Sequence, residues 1–232
     1  SQATGDIRLA GQEADDTITI DGTHSFLQAT IYGNGGDDTI DINDLDGVSF
    51  ADGGTGDDII YGGDLLSKLR GGEGNDTLYG EAGGDELYGE DGNDILFGGD
   101  GKDILYGGSG DDYLVGGNGK DILIGGDGAD VYSFETIDEA TDTIRDFTIG
   151  GPDGDVLNIT DILSGFDSAV DDISDFAFLA VRSDTLATLK INSDGAGDEF
   201  ENIAKITGAD FTGLTTEDLL NDGVLIADQT IL

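Results

Sequence analysis

Cysteine, methionine and tryptophan are absent from this chain of 232 residues, and proline and histidine occur once each, as Pro152 and His24. Without cysteine there are no disulfide staples, so an extracellular chain of this kind needs another source of stability, and bound metal is one. With a single histidine as well, Zn²⁺ lacks its usual ligands. Basic residues are also scarce: 9 Lys and Arg stand against 51 Asp and Glu, a formal net charge of −42. Nucleic acid is excluded as a partner, because phosphate contacts need Lys and Arg, and an anionic membrane surface repels such a chain. No apolar run is long enough for direct membrane insertion and no signal peptide opens the sequence. Beginning at Ser1 and lacking Met, the chain reads as a piece of something longer.

What is abundant is acid and glycine, with 41 of the latter. Such compositions tend toward disorder, but here 37% of residues are hydrophobic and they recur at a fixed period. From Gly53 to Ser133 the chain divides into nine consecutive nonapeptides: GGTGDDIIY, GGDLLSKLR, GGEGNDTLY, GEAGGDELY, GEDGNDILF, GGDGKDILY, GGSGDDYLV, GGNGKDILI and GGDGADVYS. Eight of the nine carry aspartate at the sixth position. Glycines at positions one, two and four suit a tight turn that needs positive φ and close backbone approach. The last three residues read as a short strand, with position eight (Ile60, Leu69, Leu78, Leu87, Leu96, Leu105, Leu114, Leu123, Tyr132) pointing inward and positions seven and nine outward.

One unit gives one turn and one strand, so two units make a coil of 18 residues. Turns 18 residues apart then stack on the same edge, about 4.8 Å from one another. Carboxylates stacked that closely repel, and a divalent cation between them converts repulsion into coordination. Hard oxygen ligands suit Ca²⁺ or Mg²⁺, and folding is then expected to depend on metal. The regular pairs are Asp58/Asp76, Asp76/Asp94, Asp94/Asp112 and Asp112/Asp130 on one edge, with Asp85/Asp103 and Asp103/Asp121 on the other, about six regular sites. GGDLLSKLR breaks the pattern, with Ser67 in place of the aspartate and Leu65 in place of a glycine, and its turn is expected to bind weakly or not at all. Upstream, GNGGDDTID (33–41) is a good further copy that adds Asp38 as a ligand, and GQEADDTIT (11–19) is a degraded one; their spacings of 20 and 22 residues predict wider, irregular coils.

After Ser133 the glycine period is lost. VLNIT (156–160), FAFLAVR (176–182) and TLATLKI (185–191) read as strands. Thr160 is placed to cap a short helix at DILSGF, and Thr215 with Asp218 to open another at TEDLLN, stopped by Gly223. The chain is thereby divided into residues 1–52, irregular coils; 53–133, the regular roll; and 134–232, a β-rich cap with short helices over the open end of a solenoid.

The nonapeptides resemble the calcium-binding RTX repeats, whose consensus is G-G-x-G-x-D-x-U-x. DTIRDF (142–147) followed by GGPDGDVLNITDIL, and the ending DGAGDEFENIAKITG…LTTEDLLNDGVLI, are similar to the C-terminal target region of large RTX adhesins of Gram-negative bacteria. The resemblance implies an all-β parallel β-roll, export by a type I secretion machinery that reads an uncleaved C-terminal signal, folding on Ca²⁺ outside the cell, and a secreted or cell-surface location. It also implies that turn carbonyls join the aspartates as ligands: Gly71, Glu73, Gly89, Asp91, Gly107, Ser109, Gly125 and Asp127 on one edge and Gly98, Asp100, Gly116 and Asn118 on the other. A further ion is expected near Asp146, Asp153 and Asp155. The isolated domain is expected to be a monomer and not an enzyme, since adjacent acids such as Asp15/Asp16 and Asp171/Asp172 carry little information among 51, although glycosidase chemistry does use two carboxylates.

Two alternatives stand beside the adhesin reading: the C-terminal folding domain of an RTX lipase, protease or epimerase, and a ligand-binding roll using its outward aromatic rows. Those rows hold Tyr61, Tyr79 and Phe97 on one face and Tyr88 and Tyr106 on the other, and are expected to stack as ladders. Ile104, Tyr113, Ile122 and Val131, outward but apolar, are expected to be covered by residues 134–232.

Overall fold

The computed structural model describes residues 7–20, 28–43, 47, 49–135, 140–162, 177–183, 185–192, 201–209, 211–212 and 225–226. They are wholly β, with no helix among them. The first sheet runs in spatial order β1 (Ile7–Ala10), β3 (Ala29–Gly35), β5 (Ser49–Thr55), β7 (Ser67–Glu73), β10 (Glu86–Asp91), β12 (Ile104–Ser109), β14 (Ile122–Asp127), β16 (Asp142–Ile144), β20 (Glu201–Thr207), β19 (Leu186–Ile191) and β18 (Ala177–Ser183). The second runs β2 (Thr17–Thr19), β4 (Thr39–Asp41), β6 (Ile59–Tyr61), β8 (Thr77–Tyr79), β11 (Ile95–Gly101), β13 (Tyr113–Gly119), β15 (Val131–Ser133), β17 (Val156–Asn158) and β21 (Leu225–Ile226), with β9 (Ala82–Gly83) alongside β11. The chain alternates between the sheets at every unit, and each strand pairs in parallel with the one a full coil away, as Leu87↔Leu105↔Leu123 and Leu96↔Leu114 illustrate. This is the expected parallel β-roll.

The core is a double row one residue deep. Leu69, Leu87, Leu105 and Leu123 from one sheet meet Leu78, Leu96 and Leu114 from the other, all fully buried. Ile31, Ala51 and Ile144 continue the first row, and Ile40, Ile60, Tyr132 and Leu157 the second. Each such side chain contributes about 2–3 kcal/mol by leaving water, and each lies beside its equivalent from the coils above and below.

Two local features differ from the expected unit. Most strands are six or seven residues rather than three, because positions one to three of the next unit stay in the ladder, as in Ile104–Ser109; the turn proper begins at about position four. Positive φ is confined to positions two and four, for example Gly108 (φ 129) and Gly110 (φ 124). A Cβ on Gly108 would strike the Glu90 carbonyl of the coil before. Position one needs glycine for a different reason, which belongs to the turn sites.

Outside, the aromatic ladders form as expected. Tyr61 stacks on Tyr79 at 4.9 Å and Tyr79 on Phe97 at 5.0 Å, with interplanar angles of 5° and 3°. Tyr88 and Tyr106 stack at 4.8 Å. Ile104, Tyr113, Ile122 and Val131 are half-buried, but in the described residues the C-terminal segment meets the roll end-on. It adds β16, β17, β20 and β21 in parallel to the two sheets, then turns β19 and β18 back antiparallel. Within the described residues the four have neighbours along their own rows, as Ile104↔Ile122↔Thr143 and Tyr113↔Val131↔Val156 show.

Of the expected C-terminal strands, 156–160 appears as β17, 176–182 as β18 and 185–191 as β19. β16 and β20 were not anticipated. Residues 160–162 form a turn; the remainder of the DILSGF helix, the TEDLLN helix and His24 lie outside the described residues. Replacing one inward leucine, Leu96→Ala, is expected to destabilise the calcium-loaded roll by about 2–5 kcal/mol, measured by denaturant unfolding in excess Ca²⁺.

Candidate metal centre

The sixth-position side chains point into the ends of the roll and form two columns. On the first edge, each backbone N–H donates to the aspartate of the following coil: Asp38 to Asp58 Oδ1 at 2.7 Å, Asp58 to Asp76 at 2.8 Å, Asp76 to Asp94 at 2.7 Å, Asp94 to Asp112 at 2.8 Å and Asp112 to Asp130 at 2.9 Å. On the second edge Ser67 N–H donates to Asp85, Asp85 to Asp103 and Asp103 to Asp121, at 2.6, 2.7 and 2.8 Å. One oxygen of each carboxylate is thereby fixed. The other, Oδ2, is buried without any hydrogen-bond partner at Asp38, Asp58, Asp76, Asp85, Asp94, Asp103, Asp112, Asp121 and Asp130.

An unsatisfied buried carboxylate oxygen is costly, and nine of them at equivalent places call for a shared missing partner. Neighbouring carboxylates about 4.8 Å apart repel by about 3 kcal/mol at an effective dielectric of about 20. A few such pairs equal the whole net stability of an ordinary domain, about 5–15 kcal/mol. A hard cation between coils answers both problems, so the donor set fits Ca²⁺. Among the described residues no three acidic or histidine side chains gather around one point. Each interval between coils offers two carboxylates, and backbone carbonyls must complete the shell, as in other oxygen-only sites.

The structure brings those carbonyls to the right edges. Glu73, Asp91, Ser109 and Asp127 are in register on the first edge, and Asp100 with Asn118 on the second. Position-three carbonyls on the first edge already accept one N–H each, as from Gly92 to Ser109 O at 2.8 Å, and keep a second lone pair. The position-one glycines Gly71, Gly89, Gly107 and Gly125 sit directly against Asp76, Asp94, Asp112 and Asp130 Oδ2; a Cβ there would overlap the free oxygen. Gly98 and Gly116 are placed likewise beside Asp103 and Asp121, where the same Cβ would come within 2.7 Å of Oδ2. Position one is thus a cradle, not a positive-φ position.

Three features were not read from the sequence. Asp142 and Asp155 extend the columns, accepting N–H from Asp121 at 2.8 Å and Asp130 at 3.0 Å. Position five builds a second ladder on the first edge, running the opposite way: the N–H groups of Asp57, Asn75, Asn93, Asp111 and Ala129 each donate to the side chain of the preceding coil at 2.8–2.9 Å. Third, the end of the first column is closed by protein donors. Asp155 Oδ2 takes the Thr148 N–H at 2.7 Å, and Asp146 takes those of Gly125 and Gly126 together with the Tyr132 hydroxyl at 3.0–3.2 Å.

Burial pushes the carboxyls of Asp76, Asp85 and Asp112 up to about 7 and those of Asp58, Asp94, Asp103 and Asp130 up to about 6, against a backbone hydrogen bond that lowers each. In chelator the folded chain therefore holds protons that the unfolded chain, titrating near 3.8, has released. Stability without metal is expected to be full near pH 4 and to fall as pH rises through about 6–7. With Ca²⁺ the trend reverses, because protons compete for the same oxygens. Denaturant midpoints across this range check both signs; a metal-free profile that rises with pH contradicts the geometry. Gly71→Ala, whose φ a side chain tolerates and whose Cβ would meet the Asp76 side chain first, is expected to weaken Ca²⁺ binding at its turn roughly tenfold, about 1.4 kcal/mol, with strand content unchanged, read by titration calorimetry and circular dichroism.

Comparison with known proteins agrees with this arrangement. A family model described as the RTX calcium-binding nonapeptide repeat matches the chain in four copies, at residues 30–44, 45–64, 70–105 and 97–132. No curated protein matches it.

Proposed function

We propose that this chain, whose repeats match the RTX calcium-binding nonapeptide repeat, binds Ca²⁺ at its turns and is the calcium-folded C-terminal module of a large adhesin, exported unfolded by a type I machinery and locked into shape outside the cell. The observation that carries the calcium switch is the series of nine buried carboxylate oxygens without a partner. A net charge of −42 expands the metal-free chain, and a cytosol poor in Ca²⁺ keeps it exportable. Extracellular modules of this sort bind with Kd on the order of 10⁻⁴–10⁻³ M. RTX repeat proteins are typically secreted, and among the described residues no helix is long and apolar enough to cross a membrane.

The adhesin and export readings are supported by the C-terminal phrases that resemble RTX target regions. On this reading the module has no catalytic role of its own. The intervals between neighbouring free oxygens are five on the first edge (Asp38 to Asp130) and two on the second (Asp85 to Asp121), which makes seven sites. The ladder geometry weighs against sugar binding, since stacked rings cover one another's faces and present mainly edges.

Far-UV circular dichroism during Ca²⁺ titration of chelator-treated protein, with Mg²⁺ as control, tests the switch. A cooperative coil-to-β transition near millimolar Ca²⁺ and absent with Mg²⁺ is expected. A chain fully β-structured in chelator, with thermal stability unmoved by Ca²⁺, would overturn it.

A further inference from the structure

The one irregular nonapeptide, Gly62–Arg70, differs from its neighbours in more than its missing aspartate. Its Ser67 hydroxyl donates to the Leu65 carbonyl at 3.2 Å, and Ser49, its register partner one coil earlier, donates to Gly47 O at 3.1 Å. These two turns of the second edge hold neutral hydroxyls with partners, where the regular turns hold a carboxylate oxygen with none. The family match skips residues 65–69.

The same unit carries two bases, and all three ion pairs among the described residues belong to them. Lys68 Nζ lies 3.3 Å from Glu86 Oε2 in the next coil and 4.4 Å from the Tyr88 ring centroid. Arg70 Nη1 lies 3.8 Å from Asp52 Oδ2 in the coil before. Its Nε lies 2.9 Å from Glu90 Oε1 in the coil after, close but without an aligned hydrogen bond. Lys68 and Arg70 thus join three successive strands, β5, β7 and β10, at the point where the second column of carboxylates is interrupted.

We infer that Gly62–Arg70 is a metal-independent joint, in which Lys68 and Arg70 act as fixed counter-charges between coils in place of the divalent cation bound elsewhere. Isolated pairs such as Lys68–Glu86 and Arg70–Glu90, whose side chains are about two-fifths exposed, are weak, but a network crossing three strands inside a strongly acidic chain acts against a larger repulsive background. The joint keeps β5, β7 and β10 in register at Ca²⁺ concentrations where regular coils have opened, and offers a preformed edge on which they rewind. This inference rests on the calcium-switch reading and concerns how its sites empty.

Hydrogen exchange read by mass spectrometry through a Ca²⁺ titration tests it, at low ionic strength and in 1 M NaCl, on the full chain and on Lys68→Gln/Arg70→Gln. In the unaltered chain, amides of Ser67–Glu73 and Glu86–Asp91 are expected to gain protection at Ca²⁺ concentrations at least roughly threefold below those needed by Ile104–Ser109. The double variant, or high salt, is expected to remove that lead while the number of ions bound, measured by equilibrium dialysis, stays the same. One shared midpoint in the unaltered chain, or a lead that survives both the double variant and high salt, overturns the joint. Absence of any Ca²⁺-dependent protection at Ile104–Ser109 would instead overturn the calcium switch itself.

Discussion

Everything in this roll depends on a buried carboxylate with only one of its two oxygens bonded. The backbone N–H of the preceding coil fixes Oδ1 of Asp58, Asp76, Asp94, Asp112 and Asp130 and aims Oδ2 at the position-one glycine beside it. Fixing one oxygen holds coil on coil in register; leaving the other bare makes that register depend on a cation. The leucine rows behind the turns give cohesion, but they repeat identically from coil to coil and would accept a slip by one whole coil. The turn hydrogen bonds and the breaks in the repeat resist such a slip.

The two edges are not equivalent. The first has an unbroken column of aspartates and a second ladder of opposite polarity at position five, so consecutive coils there are tied in both directions. On the second edge position five holds Leu66, Gly84, Lys102 and Lys120, whose side chains offer no oxygen for such a ladder. The first edge is therefore the continuous seam. The second is shorter, starts only at Asp85, and yields to serines and salt bridges upstream. The first column also ends on protein donors, with Asp146, Asp155 and Tyr132 closing it where no further coil of the repeat follows.

The architecture was legible in the sequence because one repeat unit is one structural unit: a fixed sixth aspartate and a fixed eighth leucine set turn, strand and coil length together. The aspartate columns could be written down from the spacing of 18 alone. The reason for glycine at position one could not, since only three-dimensional packing brings Asp112 Oδ2 against Gly107. Nor could Asp142 and Asp155 be placed, because they follow connections of 21 and 25 residues and not 18. Tyr132 reads as a core residue like the leucines it succeeds; that its hydroxyl reaches Asp146 depends on the path of the chain after the last repeat. Strand β20 joins β16 across about sixty residues, a pairing with no local signal.

Strands that lie across the long axis also set how far the chain reaches. Each coil of 18 residues advances the roll by only one inter-strand step, about 4.8 Å. The same residues pulled straight span about 60 Å. A tether built this way lengthens more than tenfold for every coil that unspools, and shortens again when the coil closes. On the proposed calcium switch, the roll under load is a reel, and the concentration of Ca²⁺ sets how firmly it is braked.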